Sequence, residues 1–477
     1  MTKKTLHDMK EGISFHALPR VFQDAVITTR RLGLRYLWID ALCIAQGDRE
    51  DWEAESVKMD PTYSNASVTI IAAASDSVNH SFLDVSEFRK WRKGIEIKAP
   101  EGQEFRPKAF VRWTYTTLYG EGQITGIPDR VSKMDKRAWT LQEALLSRRV
   151  LIFERTRVVF ACLEGRFCED GDNPISFLAY WRNSPDYDWW RPVQTRDQLT
   201  PLEVDEIWRH VVYECSRRDL TNYDNRLPGI AGIASKLQSK LEPASKSRYL
   251  AGLWQHSFVK QLAWWTPADK EIGKERLAAP SWSWASVRSA AWPIGNEHGV
   301  FFETGLRGYS LDCDAESARG FGGARSGQAD LEGPYLETNV TERKPRLKEY
   351  ILNPQESALR PFERETHFHA DFAWKVNPAC SASDRDEPDS TIYGEELQTW
   401  LQESNVFLLR LASSQTPEWV QAWYLVLKRV KERDDLYQRI GLWNPCLWCL
   451  DEEALKSAQD QYEETQGAWP KRIFKVI

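Results

Sequence analysis

The sequence predicts an α/β N-terminal unit, a parallel sheet with flanking helices, followed by a mainly α region and a β-rich C-terminal region. Three patterns carry this expectation. Between Leu18 and Ala74, helix-periodic and continuous apolar stretches alternate over short connections, the order that a right-handed crossover between parallel strands requires. Between Thr200 and Leu241, two long stretches keep a helical stripe with a turn between them. Beyond Pro280, short apolar runs separated by polar and glycine-rich chain suit strands.

The elements follow in order. Leu18, Val21, Phe22, Ala25, Val26 and Leu32 share one helical face, and Gly33 is a natural stop. "RYLWIDALCI" is almost continuously apolar from Tyr36 to Ile44, which predicts a strand covered on both faces, interrupted only by Asp40. Asp48 and Asp51 open a further helix, in which Trp52, Ser56 and Met59 share a face and which Pro61 is expected to end. "SVTIIAAA" from Ser67 predicts the next buried strand. Residues 75–136 are polar and weakly periodic, as an insertion with short strands would be. The pattern resumes with a helix over Trp139–Leu146, a strand in "RVLIF" and a second in "RVVFAC" that forms a hairpin with it. "LEVDEIWRHVVYECSRRDL" and "LPGIAGIASKLQSKL" predict helices, "YLAGLWQHSFVKQLAWW" prolongs that region, and "APSWSWASV" predicts a strand with Trp282 and Trp284 on one face and serines on the other. Ala318 to Pro334 is expected as a flexible loop, and Trp419 to Val430 and "YQRIGLW" as strands. The domains are placed at 1–165, 166–270 and 271–477.

Composition narrows the function. With 63 Lys+Arg against 69 Asp+Glu, a net charge of -6 and no basic stripe, nucleic acid is not an expected partner. No run approaches the roughly 20 apolar residues that span a bilayer, and the first residues have no apolar signal-peptide core, so a soluble cytoplasmic protein without membrane contact is expected. The eight cysteines are scattered, which predicts reduced thiols. Cys446 and Cys449 form one C-x-x-C without a second ligand pair, and His367 and His369 have no matching ligand group, so no metal is expected. The 22 tryptophans exceed what one core needs and read as packing anchors.

Several strings occur in an order that resembles one family. They are "LPRVFQDAVITTRRLGLRYLWIDALCIAQGDREDWEAESVKMDPTYSNASVTIIAAAS", "RAWTLQEALLSRRVLIF", "YECSRRDLTNYDNRLPGIAGIA", "YLAGLW" and "APSWSWASV", spread from Leu18 to Val287. Together they resemble the fungal heterokaryon incompatibility (HET) domain proteins. The resemblance implies a TIR-like fold, a role in self/non-self recognition and regulated cell death, and partners among other incompatibility or signalling proteins or further copies of the chain. Some TIR domains cleave NAD, so NAD or a related nucleotide is the implied substrate and no cofactor is expected. The family pattern usually opens with a strand that has no counterpart before Leu18, so the domain is expected to be N-terminally truncated. The alternative is a catalytically inactive HET-fold interaction or signalling scaffold.

Trp139 and Glu143 stand one helical turn apart and share a face, so an indole plane and a carboxylate can line one cleft. The W-x-x-x-E spacing resembles the TIR pattern in which the glutamate is catalytic. A carboxylate there orients ribose hydroxyls and stabilises the cationic sugar formed as nicotinamide leaves, while the indole stacks on a ring. The same carboxylate in an early helical turn also suits a plain surface charge favoured by the helix dipole. Gln142 points about 100° away and contacts a neighbour. Asp40 is either a polar ligand contact at a strand end or a paired structural carboxylate. Cys43 and Gln46 follow on the same edge as cleft-lining candidates, with Cys43 more often a small buried hydrophobe than a nucleophile. Arg137 pairs a phosphate or a surface carboxylate. Tyr63 is expected to pack.

Overall fold

The computed structural model describes residues 2–48, 51, 54–55, 58–84, 95–97, 109–111, 133–154, 158–169, 188–265, 279–287, 300–313, 321, 324–344, 349–353, 367–370, 406–415, 419–430, 433, 435–443, 446–448 and 469–477. The chain folds as two compact units, Met1–Asp197 and Gln198–Ile477.

In the first unit, Pro19 stands at the N-cap of helix Arg20–Arg31, where its missing N–H costs nothing. The buried face carries Asp24, Ala25, Thr28 and Thr29. Asp24 accepts from Ser81 Oγ at 2.5 Å and from the backbone N–H groups of Phe82 and Leu83 at 3.0 and 3.3 Å, which ties the helix to a distant turn. Gly33, at φ +70°, follows the C-cap and donates to Arg30 O, so the expected stop is where the sequence places it.

The next segment corrects the sequence reading. Residues 34–39 join no strand, and Asp40–Cys43 is a short helical turn instead of the second half of a strand. Asp40 Oδ1 accepts from Ala41 N at 2.7 Å, and Leu42 N and Cys43 N donate to Ile39 O. The apolar run alone could not separate strand from turn, whereas an aspartate that captures the next residue's free N–H favours the turn. Pro61 likewise does not end a helix. It lies in the first turn of helix Met59–Ser64, among N–H groups that have no intrahelical partner.

The sheet of this unit is mixed. Strand β1 (Thr69–Ile71) is followed by a separate antiparallel pair, β2 (Ile95–Ile97) with β3 (Ala109–Val111), and then by β4 (Val150–Phe153), β5 (Val158–Ala161) and β6 (Arg166–Cys168). The order is β1-β4-β5-β6, with β1 parallel to β4 and the other pairs antiparallel. Val150 and Ile152 alternate into a core with Ile71 and Val159, and Ala144 of helix Trp139–Leu146 packs on it.

The second unit begins with helix Pro201–Ser216, which has a reciprocal capping box between Thr200 and Glu203 and buries Val204, Ile207, Trp208, Val211, Val212 and Cys215. Helix Ala231–Lys240 follows. The run expected to prolong these helices is instead a hairpin, β7 (Tyr249–Leu250) with β8 (Leu253–Trp254), followed by a turn and the short helix Phe258–Gln261. Ala251 and Gly252, at φ 42° and 102°, supply the paired positive angles of a two-residue hairpin turn. "SWSW" is not a strand either: residues 281–283 turn into the 3-10 helix Trp284–Ser286, and Ser281, Ser283 and Ser286 are as buried as Trp282 and Trp284. Hydrogen bonding explains why this tolerates burial. Trp208 Nε1 and Trp284 Nε1 both donate to Gly252 O, at 2.8 and 3.0 Å, Trp264 Nε1 donates to Trp282 O, and Ser283 Oγ donates to Ala251 O. Trp208, Trp264 and Trp284 act as anchors because each of their indole N–H groups finds a carbonyl.

The remaining strands are β9 (Val300–Phe302), β10 (Gly305–Cys313), β11 (Ala324–Lys344), β12 (Glu349–Asn353), β13 (His367–Ala370), β14 (Val406–Gln415), β15 (Trp419–Arg429), β16 (Leu436–Trp443), β17 (Cys446–Trp448) and β18 (Lys471–Val476). The flexible loop expected at 318–334 is overturned from Ala324 onward: β11 starts there, and its first half pairs with β10 and β18. Its glycines are the cause rather than an obstacle, since a Cβ at Gly327 would lie 2.7 Å from Leu311 Cδ2 and one at Gly333 would lie 2.0 Å from Thr304 Oγ1. Pairings β11–β14, β14–β15, β15–β16, β16–β18 and β18–β11 close on themselves, and the rings of Tyr335, Phe407, Tyr437 and Phe474 meet between these strands. Cys449 lies outside the described residues, as do the side chains of Cys446, His367 and His369.

Candidate functional site

Glu143 stands in the middle of helix Trp139–Leu146. The segment ahead of the helix is fixed by Thr140 Oγ1, which donates to Met134 O and Arg137 O at 2.5 and 2.7 Å. The carbonyls of the last turn are held from several sides. Trp190 Nε1 donates to Leu145 O at 2.6 Å, and Gln194 Nε2 reaches Leu145 O and Ser147 O. Ser147 Oγ donates to Glu143 O at 2.6 Å, so its contact with Thr69 Oγ1 at 2.5 Å is one in which Thr69 donates. The helix is thereby tied to β1, and Glu143 is presented from a rigid element.

The helix divides its residues sharply. Leu141, Gln142, Leu145 and Leu146 are buried, while Trp139 and Glu143, one turn apart, are half-buried on another face. Helix Met59–Ser64 packs against this helix and brings in Tyr63, on whose phenol the Glu143 carboxylate acts electrostatically. Burial pushes the Tyr63 phenol up, and the Glu143 and Asp40 carboxylates add to the effect while Arg137 opposes it. Asp40, Glu143 and Arg137 are therefore all within electrostatic reach of one phenol. Trp38 closes another side of that phenol, edge-on at 5.7 Å between ring centroids.

Of the residues singled out in the sequence, Glu143, Asp40 and Arg137 act electrostatically on Tyr63, and Trp139 shares the Glu143 helix. Asp40 is exposed at the start of its helical turn, which removes the burial cost expected of a charge inside a strand. Cys43 is a free, exposed thiol at the end of the same turn, and Gln46 is exposed with Nε2 donating to Ile44 O at 3.3 Å. Neither is drawn to Glu143 by any described contact. Tyr63 is the residue that sequence reasoning missed. It follows Pro61 by two positions, and only the packing of two helices distant in sequence reveals its relation to Glu143. Among the described residues, no group of His, Cys, Asp and Glu could hold a metal ion, and no helix is long and apolar enough to cross a membrane.

An α/β unit of this kind, with an acidic and aromatic cluster beside a mixed sheet, has a counterpart among known families. The family model described as heterokaryon incompatibility protein (HET) matches residues 1–143, a span that holds every residue of the cluster. Residues 1–143 are thus similar to the HET domain. No curated protein and no solved structure matches it.

Proposed function

We propose that the HET domain cleaves NAD, or a related nucleotide, at the bond between nicotinamide and ribose. The observation that carries this reading is the half-buried Glu143 carboxylate, held on a fixed helix one turn from Trp139 and in one cluster with Asp40, Tyr63 and Arg137. In the reaction, the bond from the ribose anomeric carbon to the pyridinium nitrogen breaks and its electron pair leaves with neutral nicotinamide. Glu143 stabilises the cationic sugar and orients its hydroxyls, water adds to the anomeric carbon, and the proton released passes to the carboxylate and then to solvent. Trp139 supplies a stacking wall, Arg137 a partner for phosphate, and Asp40 a further polar contact. The cleavage would serve self/non-self recognition and regulated cell death in the cytoplasm, through other signalling proteins or self-assembly of the chain.

A second reading, an interaction or signalling scaffold of HET fold without catalysis, is favoured by one feature. Tyr36 is 87% exposed and stands beside exposed Leu37, on a segment that joins no strand. Following nicotinamide release from NAD with the wild-type chain and with Glu143→Ala separates the two: release that depends on Glu143 supports cleavage, and release by neither protein supports the scaffold.

A further inference from the structure

We propose that Ser247, His256 and Asp205 form a second reactive site, in which the Ser247 hydroxyl attacks carboxylic esters and passes their acyl group to water. All three residues belong to the second unit and lie outside the span that the family model matches. Their side chains are joined in one relay. Asp205 stands on helix Pro201–Ser216, and His256 on the turn Gln255–Ser257 that follows the β7–β8 hairpin. His256 Nε2 faces two acceptors, Asp205 Oδ1 at 3.0 Å and Pro201 O at 3.2 Å, so the neutral ring carries its proton there. Nδ1 is then an unprotonated base, and Ser247 Oγ, 2.6 Å away, donates to it. The His256 backbone N–H donates to the same oxygen at 3.1 Å, which fixes its position. The carboxylate that orients the ring is itself held: Asp205 Oδ1 accepts from Ser257 Oγ at 2.5 Å and from Gln261 Nε2 at 3.0 Å.

The backbone around Ser247 suits a nucleophile. Lys246, the residue before it, has φ 48°, a left-handed conformation that costs a lysine energy. Ser247 is 6% exposed between exposed Lys246 and Arg248, so its hydroxyl lies just beneath the surface of the turn. The backbone N–H of Arg248, the residue after the nucleophile, meets no acceptor among the described residues, and a developing oxyanion can take that place. In the reaction, Ser247 Oγ bonds to the ester carbonyl carbon while its proton passes to His256 Nδ1. The bond from that carbon to the alcohol oxygen then breaks, and His256 returns the proton to the departing alcohol. Water, deprotonated by the same nitrogen, attacks the acyl-serine and releases the carboxylic acid and the free hydroxyl. Asp205 acts as a positioning residue, keeping the proton on Nε2 and the base on Nδ1.

The test treats the full chain with a fluorophosphonate, a probe that phosphonylates activated serines, and follows p-nitrophenyl acetate hydrolysis in parallel. One adduct should form on the wild-type chain, located at Ser247 by peptide mass and lost in Ser247→Ala. Its rate of formation should fall about 100-fold or more in His256→Gln. In Asp205→Asn, kcat for the ester should fall at least about 10-fold with KM nearly unchanged, which loss of a purely structural tie would not produce in a folded protein. Unfolding midpoints establish that each variant is folded, and the labelling of the wild-type chain needs no variant at all. No adduct at Ser247 in the wild-type chain, or an equal rate of labelling in folded His256→Gln, overturns the proposal. None of these readouts involves NAD, so the outcome is independent of the reading of Glu143.

Discussion

Gln142 and Glu143 are neighbours on one helix and sit in opposite environments, Gln142 with no solvent exposure and Glu143 half-buried beside Tyr63. A rotation of about 100° between successive helical residues is enough to separate a structural amide from a candidate reacting group. Gln142→Ala should therefore lower stability by about 1–3 kcal/mol while leaving nicotinamide release per folded molecule nearly intact. Glu143→Gln should do the reverse. Denaturant unfolding and turnover, measured on both variants, check the division.

Gly252 sits where two tryptophans converge. Its φ is +102°, and a Cβ would lie 2.8 Å from Trp284 Nε1, the atom that donates to Gly252 O. Gly252→Ala combines backbone strain with a collision against a buried indole, and should cost about 2–5 kcal/mol. Gly33 provides the contrast, since at φ +70° a Cβ there meets nothing within 4 Å. Gly33→Ala should cost only the backbone term, about 1–2 kcal/mol. Equal losses in unfolding experiments on the two variants would contradict this account of the hairpin.

His210 and Glu214 stand one turn apart on helix Pro201–Ser216 and respond oppositely to pH. Burial, assisted by the Arg209 cation, brings His210 from 6.5 down to about 4. Burial pushes Glu214 from 4.5 up to about 7, against the pull of Arg218 and Arg217. A depressed folded-state value gives His210 a contribution that is complete above about pH 6.5 and lost as pH falls through about 4. The raised value gives Glu214 a contribution that is complete below about pH 4.5 and lost as pH rises through about 7. Between these limits the two slopes oppose one another. In His210→Gln, stability of the second unit should rise on acidification from about pH 7 to 4.5; in Glu214→Gln it should fall from about pH 6.5 to 4. Unfolding midpoints across a pH series provide the check.

What the sequence made legible depended on how local each signal was. The helix Trp139–Leu146 and the strands β4 and β5 agree with the stretches that periodicity marks, because burial there alternates in register with the element's own period. "RYLWIDALCI" misled because a continuous apolar run has no period, and the outcome turned on one carboxylate accepting from Ala41 N. "SWSW" misled because its serines are buried and hydrogen-bonded, which alternation of residue type cannot show. The glycine-rich stretch before Pro334 looked like a loop because glycine in sequence marks either freedom or close approach, and only the neighbours of Gly327 and Gly333 decide which. In the site, the W-x-x-x-E spacing pointed to Glu143, but Tyr63 had no local signal at all, because its partner comes from another helix.

The most direct measurement is nicotinamide and ADP-ribose release from NAD by the pure chain, repeated under conditions that cluster it, with Glu143→Gln alongside. The account predicts release by the wild-type chain and a fall of about 100-fold or more in the variant, as expected when a carboxylate that stabilises charge in the transition state is neutralised. Equal release by the two proteins would remove Glu143 from the chemistry, and none by either, clustered or not, would contradict cleavage of NAD by this domain.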